Sequence, residues 1–539
     1  MTEPDQTESP DDEAKAAAQP GPTLRLEQAT RRFGPLVAVR ELNLTLRPGR
    51  LHALIGENGA GKSTALNLLA GHLEPSEGRV VVGGEPLIPA TPQEAMGRSV
   101  GMVHQHFMLV EAFTAVENLV LGGASEGALG KLDLAKAAAR AHRIGRQARL
   151  DLDLDQVTEQ LSVGERQRLE ILRVLFRGAR AILLDEPTAV LSPVEVDELY
   201  QTLRSLAKQG ATIAVVTHRL DEVVRFCDDV TVMRRGVQVL SEPLVTATRD
   251  TEEPAEDQPT LTARLTRAIM GGEPPPEAEP PTLSDDAAPT LELRDLRALR
   301  PNGSTALDGL SLTLAAGEVV GIAGVEGNGQ RELARALAGL LPLADGSVRL
   351  EGELLHQPAG AGGGGRAGDR SAAVRHSRSR GLVVVHEDRH RDELLLGASV
   401  ADNLLLGDLG TRPEQETVTS RFARFDVHPP DPGRDAGELS GGNQQKVVMA
   451  RAIDRTIRAL VLAQPTRGVD IGAARAIHHA VAEVAAAGAA VLLISADLHE
   501  LRSLSHRLVV IRKGTIVAEL STSASDETIG RAMLGMEAA

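Results

Sequence analysis

The chain has 539 residues, 42% hydrophobic and 24% charged, which is core material for more than one globular domain and excludes wholesale disorder. A formal net charge of −16 argues against a dedicated nucleic-acid binder, which needs clustered Lys and Arg to neutralise phosphates. One cysteine, Cys227, excludes an intramolecular disulfide framework or a cysteine-based zinc site; it reads as inert packing in a reducing compartment.

In chain order, residues 1–22 are rich in Asp, Glu, Pro and Ala without an apolar period and read as a disordered acidic tail. Its opening, MTEPDQTESPDDEAK, is unlike a signal or transit peptide. No later window holds the roughly 18 to 20 consecutive apolar residues of a membrane span, so a cytoplasmic protein, at most peripheral to a membrane, is expected. Residues 273–289, around PPPEAEPPTLSDDAAP, read as a proline-stiffened acidic linker and not a packed element. It separates two equal blocks, 23–272 and 290–539, whose sequences answer each other. The offset is 268 positions at the glycine loop (Lys62 to Gln330) and 278 at three later points (Leu161 to Leu439, Asp185 to Ala463, His218 to Ala496). A Gly/Arg-rich insertion, 358–380, contributes to that difference; without a helical or strand period it reads as a solvated loop.

Within each block, short apolar runs such as LHALI, AILL and TIAVV alternate with helical patterns, which argues an α/β fold with a largely buried sheet. Residues from about 106 to 160, including LDLAKAAARAHRIGRQARL, are expected to form a helical subdomain. Tyr200 falls in a helical pattern and reads as partly buried packing, and the adjacent His478 and His479 would face different sides of a helix.

The segment Gly56-Glu57-Asn58-Gly59-Ala60-Gly61-Lys62-Ser63 fits GxxxxGK[ST] between an apolar strand and a helix that continues with Thr64. Its glycines let backbone N–H groups turn around phosphate oxygens, Lys62 reaches the β- and γ-phosphates, and Ser63 can ligate Mg²⁺. Further on, the strand Ile182-Leu183-Leu184 ends in Asp185 and Glu186 before Pro187. One carboxylate at a strand end can hold a metal and its neighbour can orient an attacking water. LSVGE (from Leu161) and LSGGN (from Leu439) each open a helical segment. Either can be a simple N-cap or can present a hydroxyl and open N–H groups to an anion.

In combination and order, these motifs resemble the ATP-binding cassette (ABC) family across both blocks. The resemblance implies two tandem P-loop NTPase nucleotide-binding domains, each with a helical subdomain, binding ATP and Mg²⁺. It implies that Phe33 stacks on adenine, Gln105 links Mg²⁺ to a transport partner, Asp185 anchors the metal, Glu186 polarises the hydrolytic water and His218 is the switch histidine. Two cassettes on one chain, with HQHFMLVEAFTAVENLVLG and HEDRHRDELLLGASVADNLLLG, look like the ATPases of simple-sugar and nucleoside uptake systems.

The second copy departs from the pattern. It keeps Gly324, Gly327 and Gly329 but carries Gln330 and Arg331 for Lys62 and Ser63, and Ala463-Gln464 for Asp185-Glu186. Ala496 stands for His218, Glu387 for Gln105, and no aromatic residue answers Phe33, so hydrolysis is not expected there. The signatures are reversed in quality: Ser440, Gly441, Gly442 and the following Asp470 keep the family pattern, while the first copy has LSVGE and Ser192-Pro193. If the cassettes pair head to tail within the chain, as the family's do, every good motif falls in one composite site. The expected function is the ATPase subunit of an importer on the cytoplasmic face of the membrane, with integral-membrane permease subunits and a solute-binding protein as partners and no nucleic acid. The competing reading is a soluble twin-cassette ATPase acting on ribosomes or nucleic acid, which the acidic linker and the degenerate second site disfavour.

Overall fold

The computed structural model describes residues 20–34, 36–105, 107–121, 133–188, 191, 193–244, 257–273, 276–284, 287–358, 370–407, 414–454 and 456–535. Residues 1–19 of the expected tail, 359–369 of the insertion, and Ser192 lie outside them. The chain divides into two compact units, Met1–Pro274 and Pro275–Ala539.

Both units have the same plan. In the first, a six-stranded sheet runs in the order Val237–Pro243, Asp229–Arg234, Leu51–Gly56, Thr212–Val216, Ala181–Asp185, Val100–Val103. All neighbours are parallel except the outermost pair, Val237–Pro243 with Asp229–Arg234. The three central strands are buried at every position, as expected for parallel strands covered on both faces, and this explains their unbroken apolar runs. A second sheet, antiparallel, joins Leu36–Leu46, Leu24–Phe33, Glu77–Val82 and Glu85–Pro86. Its alternating burial marks one face turned to the core. Leu24, Leu26, Leu42, Leu44 and Leu46 of that sheet share a core with Leu66 and Leu69 of the helix Lys62–Leu69 and with Leu183 and Val216. The helix that follows the glycine loop is thus wedged between the two sheets.

The second unit repeats both sheets, with the six-stranded one ordered Thr515–Ser521, Arg507–Arg512, Val319–Ala323, Ala490–Ile494, Ala459–Ala463, Leu382–Val385. The helical subdomain of the first unit contains Ala115–Val120 and Leu134–Ala148 and extends beyond the expected residue 160, because the helix Val163–Phe176 packs against both. Among the described residues no helix is long and apolar enough to cross a membrane.

Four expectations are corrected. The linker is packed where it is described: His479 Nε2 lies 2.8 Å from the Pro276 carbonyl, His506 Nε2 lies 2.7 Å from that of Pro281, and Ala278 joins the second unit's core. Proline lacks an N–H but keeps an acceptor, so a proline-rich strand can dock through its carbonyls alone. Within the insertion, Arg370–Ser379 is a helix, not a loop. It precedes the strand Leu382–Val385 as Pro92–Gly97 precedes Val100–Val103, and Ser377 anchors it 2.8 Å from His356 Nε2. Tyr200 is fully buried, stacked on Phe226 with ring centroids 4.5 Å apart. Residues 20–22, counted with the tail, are fastened to the first unit: Gly21 N–H donates to the Gly210 carbonyl and Thr212 Oγ1 to that of Pro22.

Candidate functional site

The strand Leu51–Gly56 delivers the glycine loop to the carboxyl edge of the parallel sheet, and the helix Lys62–Leu69 leaves from it. Gly61 caps that helix at φ +96°, and a Cβ there would stand 2.5 Å from the Ala38 carbonyl oxygen, so only glycine fits. Lys62 is buried and its Nζ donates to the carbonyls of Gly56 and Glu57 at 2.8 and 2.9 Å, folding the loop around its own ammonium group. Glu57 also accepts from Ala60 N–H, and the Ala60 carbonyl accepts from Gly236 N–H, which pins the turn containing Asn58 and Gly59. Ser63 and Thr64 form the first turn of the helix.

Asp185 ends a neighbouring strand and receives a hydrogen bond from Ser63 Oγ at 3.3 Å. Burial raises its pKa and Glu186 adds to the rise, against the hydrogen bond from Ser63 and the charge of Lys62. A cation would relieve that burial penalty, and the available donors (the Ser63 hydroxyl, the Asp185 carboxylate and the Gln105 amide oxygen) are the hard oxygen ligands Mg²⁺ prefers. The residues therefore fit Mg²⁺ held jointly with phosphate and water.

Glu186 turns out of the strand at φ +49°, a left-handed backbone rare for a non-glycine residue, held by its N–H to the Val216 carbonyl at 3.0 Å. Its Oε2 accepts from Gln105 Nε2 at 3.0 Å, and Oε1 lies 3.5 Å from His218 Nδ1. Burial pushes its pKa up, but the hydrogen bond and charge of His218 and the charges of Lys62 and Arg219 outweigh it and leave the carboxyl below its ordinary range. A carboxylate ionised at neutral pH and aimed from the edge of the loop can accept a hydrogen bond from water. Lys62, Ser63, Gln105, Asp185, Glu186 and His218 are thus brought together from four chain segments. Phe33 ends the strand Leu24–Phe33 with an exposed ring, and the Arg31 guanidinium lies 4.8 Å from its centroid.

Ser440, Gly441, Gly442 and Asp470 form a group of their own in the second unit. Ser440 caps the helix Gly441–Ile453, Asp470 caps Ile471–Ala486, and a Cβ on Gly442 would meet Asp470 Oδ2 at 2.9 Å. In the first unit Ser162 makes a capping box with Glu165, and a Cβ on Gly164 would meet Glu195 Oε1 at 2.3 Å. Both serines are therefore N-caps, with helix N-termini behind them.

The second glycine loop keeps the backbone and differs in its side chains. Gly329 caps its helix at φ +111°, and Gln330 Nε2 donates to the Val325 carbonyl at 3.0 Å, reproducing one Lys62 contact without the charge. Gln464 keeps the left-handed turn of Glu186 at φ +52°, but its Oε1 accepts from Ala496 N–H. Glu387 is paired with Arg467, and Arg331 lies 3.8 Å from Asp392. Sequence reasoning missed Arg300, which ends up where Phe33 stands: it donates to the Gly327 carbonyl at 3.1 Å and to Glu332 at 2.7 Å. Registering Leu24 on Leu291 points to it, since Phe33 then falls on Arg300 at an offset of 267 positions (Leu24 to Leu291).

A family model described as ABC transporter matches residues 39–189 and 307–467. The chain is 37% identical over 526 residues to the nucleoside import ATP-binding protein NupA of Lactococcus lactis subsp. cremoris, covering 95% of this chain and 98% of that one. It is 33% identical over 513 residues to the ribose import ATP-binding protein RbsA of Hahella chejuensis, covering 93% and 96%. Among solved structures, an archaeal ribosome recycling factor in complex with a ribosomal stalk protein matches with a TM-score of 0.59 over 92% of this chain and 90% of that one. At 18% identity this is a likeness of fold alone. Fold and site define a P-loop ATPase with two fused nucleotide-binding domains. The chain belongs to the ABC transporter family.

Proposed function

We propose that the chain is the ATP-hydrolysing, energy-coupling subunit of an importer for a nucleoside or a simple sugar. It works from the cytoplasmic face of the membrane with integral-membrane permease subunits, and a solute-binding protein completes the system. The observation that carries the reading is the cluster of Lys62, Ser63, Asp185, Gln105, Glu186 and His218 in the first cassette, against Gln330, Arg331, Ala463, Glu387, Gln464 and Ala496 in the second. The nucleoside import role of NupA and the ribose import role of RbsA support the importer class and the two solute classes.

In this reading one composite site is competent. The first cassette supplies Phe33 for adenine, the loop Gly56–Ser63 with Thr64 for the phosphates, and Glu186 for the water. The second supplies Ser440, Gly441, Gly442 and Asp470 when ATP closes the two. Mg²⁺, held by Ser63, Asp185 and Gln105, supplies counter-charge to the phosphate oxygens when bound. Glu186 accepts a hydrogen bond from the attacking water, whose oxygen bonds to the γ-phosphorus as the bridging bond to ADP breaks. His218 and Gln105 keep that carboxylate aimed, and Lys62 neutralises charge on the phosphates. Phosphate release lets the cassettes reopen. Co-purification of the full-length chain from native membranes, with identification of bound integral subunits, tests the importer assignment. Recovery with ribosomes and no membrane protein overturns it.

A further inference from the structure

We propose that Glu222 is a positioning residue for ATP hydrolysis, a buried carboxylate hub that fixes the Glu186 loop against the His218 loop. The proposal rests on the assignment of Glu186 and His218 made above.

Glu222 lies in the helix Leu220–Phe226 and is 1% exposed. Its Oε2 accepts from Thr188 Oγ1 at 3.0 Å, from Tyr200 OH at 2.9 Å and from Thr217 Oγ1 at 3.4 Å. Its Oε1 faces Arg219 Nη1 at 3.4 Å. These donors come from three separate segments. Thr188 is two residues past Glu186, Thr217 and Arg219 flank His218, and Tyr200 belongs to the helix Pro193–Lys208, with its ring held on Phe226. Burying a carboxylate is costly unless its oxygens are fully engaged, and here four donors engage them. Glu186 and His218 approach each other from the two loops that this one carboxylate ties together. A slip in either loop would move the water-orienting group, and about 1 Å of misplacement can cost on the order of a hundredfold in rate.

The second cassette is an internal control, because each position recurs 278 residues on (Glu222 to Glu500). The carboxylate persists there as Glu500, 2% exposed, but Tyr200 has become His478 and Arg219 has become Asp497, which cannot donate. His478 Nε2 lies 3.0 Å from Glu500 Oε1, while Glu500 Oε2 is buried with no hydrogen-bond partner. The sheet order of the second cassette is the same as the first, so the full donor set is not needed to build the fold. It is complete in the cassette that has Glu186 and His218, and depleted in the one that has Gln464 and Ala496.

The test is steady-state and single-turnover ATPase of the full-length chain with its native membrane partners, together with equilibrium binding of a fluorescent ATP analogue. Glu222→Gln should lower kcat by about tenfold or more while the dissociation constant for nucleotide stays within about twofold. Tyr200→Phe keeps the ring stack, removes one donor and should lower kcat by about three- to tenfold, which decides the matter if Glu222→Gln does not fold. Glu500→Gln should leave turnover within about twofold. In a Glu186→Gln background, adding Glu222→Gln should change the residual rate by less than about twofold, because the two act through one group. Multiplicative losses in that background, equal losses from Glu500→Gln, or unchanged kcat in Tyr200→Phe overturn the proposal while leaving the Glu186 assignment intact. Parental turnover of Glu186→Gln alone removes that assignment, and the proposal with it.

Discussion

Gln105 and Glu186 are 81 positions apart in sequence, and Gln105 Nε2 donates to Glu186 Oε2 over 3.0 Å. The matching residues of the second cassette have parted company: Glu387 is paired with Arg467, and Gln464 accepts from Ala496 N–H at 3.2 Å. In the first cassette Gln105 is bonded to the carboxylate proposed above to orient the attacking water. In the second the same position is bonded to an arginine of the neighbouring loop.

Glu186→Gln should keep nucleotide binding and lower turnover by about 10²–10⁴-fold, the range a positioned acid–base group contributes. The substitution keeps the shape of the side chain and removes the charge that faces His218. Steady-state phosphate release and nucleotide titration on the same preparation separate the two effects. A parental rate would mean that another group orients the water.

Lys62→Ala should act on binding first. Its Nζ bridges two carbonyls of the loop proposed to cradle the phosphates, so its removal both loosens that loop and takes away a charge that would face them. Charge-assisted hydrogen bonds contribute about 1.5–3 kcal/mol, so affinity for ATP should fall by about ten- to a hundredfold, read by equilibrium titration.

Ser440→Arg should abolish ATPase activity if the second signature closes the site held by Lys62, whereas Ser162→Arg should cost much less. Both serines are N-caps, so each substitution also loses a cap of about 1 kcal/mol, and the difference between them isolates the site. Gly442→Asp and Gly164→Asp should follow the same order. Each glycine, however, faces a carboxylate within the cassette, Asp470 and Glu195, so both variants should also melt earlier. Thermal unfolding and ATPase assays on all four, in the permease-bound complex, give the ranking. Equal losses from Ser440→Arg and Ser162→Arg contradict the single-site arrangement.

The first cassette should lose stability in mild acid through His52. This residue is buried in the strand Leu51–Gly56 with Nε2 2.8 Å from Thr231 Oγ1, and burial pushes its pKa down to about 4 from an ordinary 6.5. The unfolded chain takes up the proton as pH falls through 6.5, while the folded chain does so only near 4, so stability is complete above 6.5 and drains away between the two values. The loss should reach about 2 kcal/mol by pH 5 and level off near ~3 kcal/mol below pH 4. Val320 occupies the matching position in the second cassette, and Thr231 keeps Ser241 as a partner, so His52→Val is a compatible test. Urea unfolding at pH 7 and pH 5 should show a smaller pH difference in the variant, and an unchanged difference would remove His52 as the source.

The sequence alone determined the repeat, the buried sheet of an α/β fold, the glycine loop and the carboxylate-ended strand, because each is written in contiguous residues. A run such as AILLDE encodes burial and its end at once, and GENGAGKS encodes a turn whose hydrogen bonds close within six positions. It also showed that the second copy had lost Lys, Ser, Asp, Glu and His equivalents, since substitution needs no geometry to be read. Only the tertiary structure decided which side chains meet across distant segments. The antiparallel sheet went unnoticed because its long strands carry mostly polar outward faces. The linker looked solvated because its acidic and proline composition says nothing about two histidines that lie 203 and 225 positions further on. Arg300 over the second loop and the four donors around Glu222 were equally hidden. Period and composition report how a segment meets water, whereas these pairings depend on which loops the packed sheets bring together, and that is settled by burial summed over the whole domain.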